Sequence, residues 1–483
     1  MYETIEEKEV DLLQKAIDKS EKKIGYEMVQ SETNKDIFNI IEEFIKRKKL
    51  ICYGGTAINN ILPKKAQFYN KNFEVPDYDV FSKNALDDAK ELVDLFFIKG
   101  YESTEVRTAM IIGTYKIYVN FIAVVDITNI DPKLYEVFKK NGIRKEGILY
   151  SPVNFLRMEM YKELSHPQGE ISRWEKVLKR LALLNKYYPI HNDKCYEVNF
   201  MRDFKGKQQL SEDIYDIVKK ILIEHEVVFF GGYATNLYSR YMPVAENKNR
   251  VLKHIPDFDV LSTDAKQTAQ DVKKELIKNG FHHIKINKKD ALWKIIPVHY
   301  EIVFENDILC VIYETIACHS YNTIKEHNQT IKVASIETMF NFLFAFLFKD
   351  DKYYDHIRIM CMAEFLFQVQ QKNRLKQKGL LKRFSTNCYG TQITPEKLRE
   401  IKSEKFKELQ NKKGSKEYEK YFIRYNPNEL LEKKKMETKK NNKMKMKMKM
   451  EKGDDDKKNK NKNKKTLKNK LVSKFINPFN DII

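Results

Sequence analysis

Long apolar runs are missing from this 483-residue sequence. The most apolar stretch, Met339 to Phe348, contains Asn341 and fits a buried core helix, being too short for a membrane span. The acidic start, MYETIEEKEVD, lacks the apolar centre of a signal peptide. Cysteine is sparse and scattered: Cys52, Cys195, Cys310, Cys318, Cys361 and Cys388 form no CxxC pair. Neither a disulfide framework nor a zinc site is therefore expected. The ten histidines make no H-x-x-x-H or Cys/His ligand spacing. A Gly-Lys-Ser/Thr is also absent after the glycine pairs, which excludes a P-loop. These absences together predict a soluble protein of a reducing compartment that meets no membrane.

What the chain does have is charge, unevenly placed. The formal net charge is +20, and residues 431–470 hold 18 Lys/Arg against 6 Asp/Glu, which is +12 of it. The rest carries a mild basic excess that suits a polyanionic partner. The Lys-rich segment, with NKMKMKMKMEKG and DDDKKNKNKNKK, is low in complexity and cannot bury a core, so 431–483 reads as a disordered tail. It is a solvated arm, a nonspecific phosphate-binding arm, or both.

The chain also repeats itself. ICYGG (Gly54, Gly55) is followed by VPDYDV (Asp77, Asp79), and VFFGG (Gly231, Gly232) by IPDFDV (Asp257, Asp259). In a β-type run the two carboxylates of an Asp-x-Asp share one face, about 7 Å apart. Paired carboxylates make a hard-oxygen site suited to Mg²⁺ or Mn²⁺. A Gly-Gly turn lets the backbone approach phosphate oxygens closely. The combination is the chemistry of nucleotidyl transfer.

The surroundings repeat as well. Residues 1–48 read as helices, with Ile5, Val10, Leu12, Leu13 and Ile17 on an imperfect apolar face and Ile37, Ile40, Ile41, Phe44 and Ile45 on a clearer one. A strand and the Gly-Gly turn follow, then an interval holding Lys64, Lys65 and Lys71, then the Asp-x-Asp. A helix at Ala85–Lys99 leads to strands at Ala109–Ile112, Lys116–Phe121 and Ile122–Ile127. The second copy runs in the same order, with strands expected at Leu292–Ile296, Tyr300–Phe304 and Ile308–Tyr313. The fold class expected is α+β: two tandem mixed-sheet units with added helices and the basic tail. The domains expected are 1–190, 191–430 with the C-terminal helices at 335–376 and 394–424, and 431–483.

Asp77, Asp79 and Asp126 are the candidate catalytic and metal-binding set. Two-metal transfer needs carboxylates that hold the ions roughly 3.5–4 Å apart. Asp126, in the apolar run AVVDIT, is costly to place there unless it faces a cation; the plainer role is a hydrogen-bonded turn. Gly54, Gly55 and Thr56 form the candidate phosphate turn at the start of a helix. In the second copy Tyr233 replaces Thr56, and aligning Tyr115 with Tyr300 sets Val311 opposite Asp126. That copy reads as degenerate, with Asp307 and Glu314 out of register as substitutes. Between the copies, a helical segment at 152–188 carries Arg157, Lys162, Arg173 and Arg180. It is either a cover for the sheet or the wall that holds a nucleotide, with Arg157 and Lys162 the candidate ATP ligands.

At these residues the chain resembles the viral poly(A) polymerase catalytic subunit of large DNA viruses, within the DNA polymerase β-like nucleotidyltransferases. The wider resemblance rests on Gly54-Gly55-Thr56, Asp77-Tyr78-Asp79 and Asp126. The narrower one rests on LICYGGTA, SPVNFLRMEMYKEL with SRWEKVLKRLALLNKYYP, FFGGYATNLY, PDFDVLS, YETIACHSYN and FIRYNP, across roughly 35–430. It implies untemplated addition of adenylates from ATP to an RNA 3′ end with Mg²⁺ or Mn²⁺. A virion and host-cytoplasm location follows from it too, with either a homodimer or a separate viral processivity subunit. The rival readings are another β-like nucleotidyltransferase and a non-catalytic RNA-binding scaffold.

Overall fold

A computed structural model describes residues 5–431, apart from 71–75, 196–197, 203, 206–207, 244–254, 327–328, 350–352 and 430. Lys71 and the Lys-rich segment from 432 onward lie outside the described residues. Residues 1–426 form one compact unit.

The chain opens with helices α1 (Ile5–Gln30) and α2 (Glu32–Lys48). The Ser31 hydroxyl caps α2 by accepting from the Asn34 amide, and Ile37, Ile40, Ile41, Phe44 and Ile45 bury its apolar face. Lys49, in the left-handed region at φ 56°, ends it and turns the chain into β1 (Ile51–Tyr53). There follow α3 (Gly54–Ile61), β2 (Tyr78–Ser82), α4 (Ala85–Ile98), β3 (Thr104–Thr108), β4 (Thr114–Val119), β5 (Ile122–Asn129), α5 (Pro132–Asn141), β6 (Ile143–Lys145) and β7 (Ile148–Tyr150). Helices α6 (Val153–Leu164) and α7 (Trp174–Tyr187) make the bridge to the second copy.

That copy runs α8 (Gln208–Glu224), β8 (Val228–Phe230), α9 (Gly231–Leu237), β9 (Phe258–Ser262), α10 (Ala265–Lys278), β10 (Ile284–Lys289), β11 (His299–Phe304), β12 (Asp307–Glu314), β13 (His319–Glu326) and β14 (Gln329–Ala334). Then come α11 (Ile336–Phe346), α12 (His356–Lys372), β15 (Cys388–Tyr389), α13 (Pro395–Leu409), α14 (Lys416–Phe422) and β16 (Arg424–Tyr425).

The duplication extends through both sheets. Their strand orders are β16-β3-β4-β5-β2-β1-β7-β6 and β10-β11-β12-β9-β8-β14-β13-β15. β1 pairs antiparallel with β2 and parallel with β7, just as β8 pairs with β9 and β14. The fold is thus mixed α+β, as expected. Every residue of α11 is buried, so the Met339–Phe348 stretch is the core helix its composition indicates. Among the described residues no helix is long and apolar enough to cross a membrane.

Several expectations need correction. Ala109–Ile112 is the turn between β3 and β4, and Leu292–Ile296 is a turn closed by a single bridge; the strands lie upstream at β3 and β10. Apolar content misled there: Met110 and Ile111 stand exposed in the first turn, while Ile295 and Ile296 are buried in the second without a strand ladder. The cysteines are not all free: Cys195 is bonded to Cys361 and Cys318 to Cys388. Those partners stand 166 and 70 residues apart, so only tertiary packing brings them together. Finally, the C-terminal helices do not simply extend the second copy. α14 packs on β3, and β16 adds to the edge of the first sheet.

Candidate active site

Asp79 lies in β2 and Asp126 in β5, and the parallel register sets them directly opposite each other. Asp77 is exposed at the entrance to β2, one residue before the strand begins. Burial lifts the Asp79 carboxyl to about 7, and the neighbouring carboxylates of Asp77 and Asp126 push in the same direction. Lys116 and Arg173 oppose that rise. Asp126 is likewise raised by burial, against the pull of Lys116, whose Nζ lies 2.9 Å from its Oδ2. A carboxyl pushed up by like charges marks a place that would accept a cation. As they stand, no three His, Cys, Asp or Glu side chains among the described residues close around an ion. Lys116 supplies the positive charge at Asp126 instead.

The Gly-Gly turn is fitted to this cluster. Gly54 sits at φ +71°, and a Cβ there would collide with Oδ2 of Asp79. A Cβ on Gly55 would come 2.6 Å from the Tyr69 hydroxyl and 2.8 Å from Nη1 of Arg180. Arg180 of α7 is buried, donates to the Tyr69 hydroxyl at 2.7 Å, and lies over the rings of Phe68 and Tyr69. The Gly-Gly backbone therefore meets the Asp79 carboxylate on one side and the Arg180 guanidinium on the other. Thr56 serves the turn differently from expectation: it is buried and its hydroxyl donates to the Asp77 carbonyl at 2.6 Å. It fixes the approach to the Asp-x-Asp.

The α6 candidates divide. Arg157 is buried in the helical layer, and its guanidinium donates to Asn185, Asn154 and the Tyr188 carbonyl. Burial pulls it down to about 10. Reading it as an ATP ligand is corrected here: all of its donors point into the protein. Lys162 stays partly exposed, 3.3 Å from Glu159, and lies near enough to Lys294 for the two ammoniums to repel. Lys294 belongs to the Leu292–Ile296 turn of the second copy and donates to the Ile112 carbonyl, while Trp293 meets the Phe81 ring edge-on at 5.5 Å. The second copy thus reaches across to the first sheet.

The Asp-x-Asp of the second copy is closed by an ion pair. Asp259 faces Val311 in the parallel register, as the sequence alignment requires. Arg202 pairs with Asp257 and lies 3.7 Å from Asp259, stacked 3.8 Å over the Tyr353 ring. The Tyr353 hydroxyl donates to Asp259 at 2.9 Å. Tyr233 is buried against Phe229 and Phe258 inside the core, so its ring does not fill a phosphate site. The backbone of Phe200 does, since a Cβ on Gly232 would collide with its carbonyl oxygen. Asp307 accepts from the Lys205 amide.

Lys116, Tyr69, Arg202 and the Trp293–Lys294 turn escaped the sequence reading. Lys116 carried a signal: it is the polar residue between Tyr115 and Ile117, on the alternation that faces Asp126. Arg202 and Tyr69 sit in irregular segments with no periodicity to read.

Comparison with known proteins adds to this geometry. Residues 39–170 match the family model for the poly(A) polymerase catalytic subunit. A protein of African swine fever virus (isolate Tick/Malawi/Lil 20-1/1983), described as a poly(A) polymerase catalytic subunit, is 31% identical over 157 residues, 31% of this chain and 33% of that protein. The match thus spans about a third of the length of that relative. One of Acanthamoeba polyphaga mimivirus, similarly described, is 22% identical over 437 residues, 81% of this chain and 73% of that protein. The crystal structure of the Megavirus polyadenylate synthase superposes with a TM-score of 0.73 at 21% identity, over 89% of this chain and 88% of that one. By sequence, residues 39–170 match the poly(A) polymerase catalytic subunit family, and by fold the chain is similar to a viral polyadenylate synthase.

Proposed function

We propose that the chain is a polynucleotide adenylyltransferase that adds adenylates from ATP to RNA 3′ ends without a template. The observation that carries this is the Asp79–Asp126 register beside the Gly54–Gly55 turn, present in the first sheet and replaced by Asp259–Val311 in the second. Asp77, Asp79 and Asp126 would hold Mg²⁺ or Mn²⁺, and the donor chemistry fits: three carboxylates, one of them lifted to about 7. Bound there, such ions neutralise phosphate charge and make the attacking hydroxyl more acidic.

The protein's own groups divide the remaining work. The RNA 3′ hydroxyl oxygen attacks the α-phosphorus of ATP as its proton passes to solvent, the bond from that phosphorus to the oxygen bridging to the β-phosphate breaks, and pyrophosphate leaves. Gly54 and Gly55, at the first turn of α3, let the triphosphate approach backbone N–H groups. Arg180, and Arg173, whose charge is felt at Asp79, offset the charge that builds on the departing pyrophosphate. Lys162, partly exposed on α6, remains a candidate ATP contact.

The homodimer implied by the resemblance draws support from α1, whose Ile5, Val10, Leu12 and Leu13 are exposed along a 26-residue helix. A viral processivity subunit and a virion and host-cytoplasm location are further expectations of this reading. The test is to incubate the purified full chain with a labelled short RNA and each NTP separately, with Mg²⁺ or Mn²⁺. Ladders with ATP alone are expected; no extension with any NTP would sink the proposal.

A further inference from the structure

The open face of the first sheet carries a row of charged side chains that leads away from the carboxylates. Register places Asp79 opposite Asp126, Asp126 opposite Lys116, Lys116 opposite Arg107, and Arg107 opposite Arg424. Directly opposed residues project from the same face. The five therefore form one line across β2, β5, β4, β3 and β16, about 19 Å long at ordinary strand spacing. Exposure rises along it: the side chains of Lys116, Arg107 and Arg424 are 33%, 49% and 65% accessible. The other face of these strands is covered by α4 and the core.

The cations are held in place. Glu105 pairs with both Arg107 and Arg424, fixing two guanidiniums on one carboxylate and leaving a net positive charge. Arg107 also lies 5.3 Å over the ring of Tyr118, a partly exposed aromatic two residues beyond Lys116. Arg107 and Arg424 stand two and three strand spacings from Asp126, about 10 and 14 Å, too far to reach a triphosphate bound at the Gly-Gly turn. A row of ordered cations with an adjoining aromatic suits the phosphodiester backbone of a single strand.

We propose that Arg107 and Arg424, with Tyr118 beside them, form the track on which the RNA strand upstream of its reactive 3′ end lies. This rests on the adenylyltransferase reading for the strand's direction. It also gives the FIRYNP segment a use: β16 is the strand that supplies the last cation of the track.

The test uses the full chain and a fluorescent oligo(A) longer than the ~4–16 nucleotides that one such face covers. Binding is titrated across a salt series for the unaltered protein, R107Q/R424Q, R107K/R424K and, as an off-track control, R399Q on α13. Losing two phosphate contacts should reduce the slope of log affinity against log salt by about 1.4 and weaken binding roughly tenfold. The lysine pair should bind as the unaltered protein does, and so should R399Q. An unchanged slope in R107Q/R424Q would overturn the track. Equal loss in the lysine pair would do the same, because the arginines would then matter only to the sheet edge. Binding needs no turnover, so the two proposals fail separately. A protein that binds oligo(A) with the expected pattern yet extends no RNA removes the activity and leaves the track.

Discussion

At the scale of single residues, the same two-carboxylate motif has been put to opposite uses. Asp79 faces a second carboxylate and is lifted to about 7, whereas Asp259 faces Val311 and is held by Arg202 and Tyr353. Asp79→Ala or Asp126→Ala should therefore abolish nucleotide addition, while Asp259→Ala should keep it. The comparison is chain elongation per folded enzyme; equal losses would mean two working centres. Arg202 carries the second expectation. Its partners are buried, and removing one member of a buried ion pair typically costs about 3–5 kcal/mol. Arg202→Met should lower the melting temperature sharply, and Arg202→Met with Asp257→Asn and Asp259→Asn should restore most of it. A melting curve that Arg202→Met leaves unmoved would refute the account. The Asp259–Val311 register of the second copy was legible in the sequence, from the Val311 alignment. Its replacement cation was not, because Arg202 lies in a loop 55 residues before its carboxylate partner.

At the scale of elements, strands that alternate were legible and turns rich in apolar residues were not. The GGT and DYD segments mark β1, α3 and β2 because glycine and paired carboxylates are informative at any burial. Ala109–Ile112 and Leu292–Ile296 look strand-like because they are apolar, yet the first exposes Met110 and Ile111 and the second buries Ile295 and Ile296 without a ladder, a difference hydrophobicity does not report. Arg157 went wrong for a related reason: position in a basic helix does not say whether a guanidinium faces a cleft or a core. α1 shows the reverse, an apolar face seen in the sequence that stays exposed, with Leu12 and Leu13 at 66% and 60%. If that face joins two copies, Leu12→Lys with Leu13→Lys should shift the sedimenting species from dimer to monomer without changing the helical signal. A species of unchanged mass would exclude α1 from the interface.

At the scale of the whole molecule, α6 and α11 tie the two copies together. Tyr161 stacks on Phe340 with centroids 4.4 Å apart, the Ser320 amide donates to the Ser165 carbonyl, and His166 meets His319 edge-on. Burial holds His166 well below its usual value and His319 down at about 3. The unfolded chain takes up these protons below about pH 6.5, whereas the folded chain does not. The stability is therefore present above pH 6.5 and is lost as pH falls toward the depressed folded value, about 3 for His319. Denaturant midpoints measured from pH 7 to 5 should fall, and His319→Leu should flatten the decline. Deleting residues 432–483 should weaken RNA binding and reduce its salt dependence while single-nucleotide addition continues; an unchanged slope would leave the Lys-rich segment without a part in binding. The placement of β16 has one more consequence, for the order of synthesis. β3 leaves the ribosome more than 300 residues before its edge partner Arg424–Tyr425. At ~5–20 residues per second that is a wait of roughly 15–60 s with an unpaired sheet edge. Glu105 and Arg107 on that strand are the charges that discourage another chain from pairing there in the meantime. The nascent chain thus acquires Asp79 and Asp126 well before β16 closes the edge of the sheet that carries them.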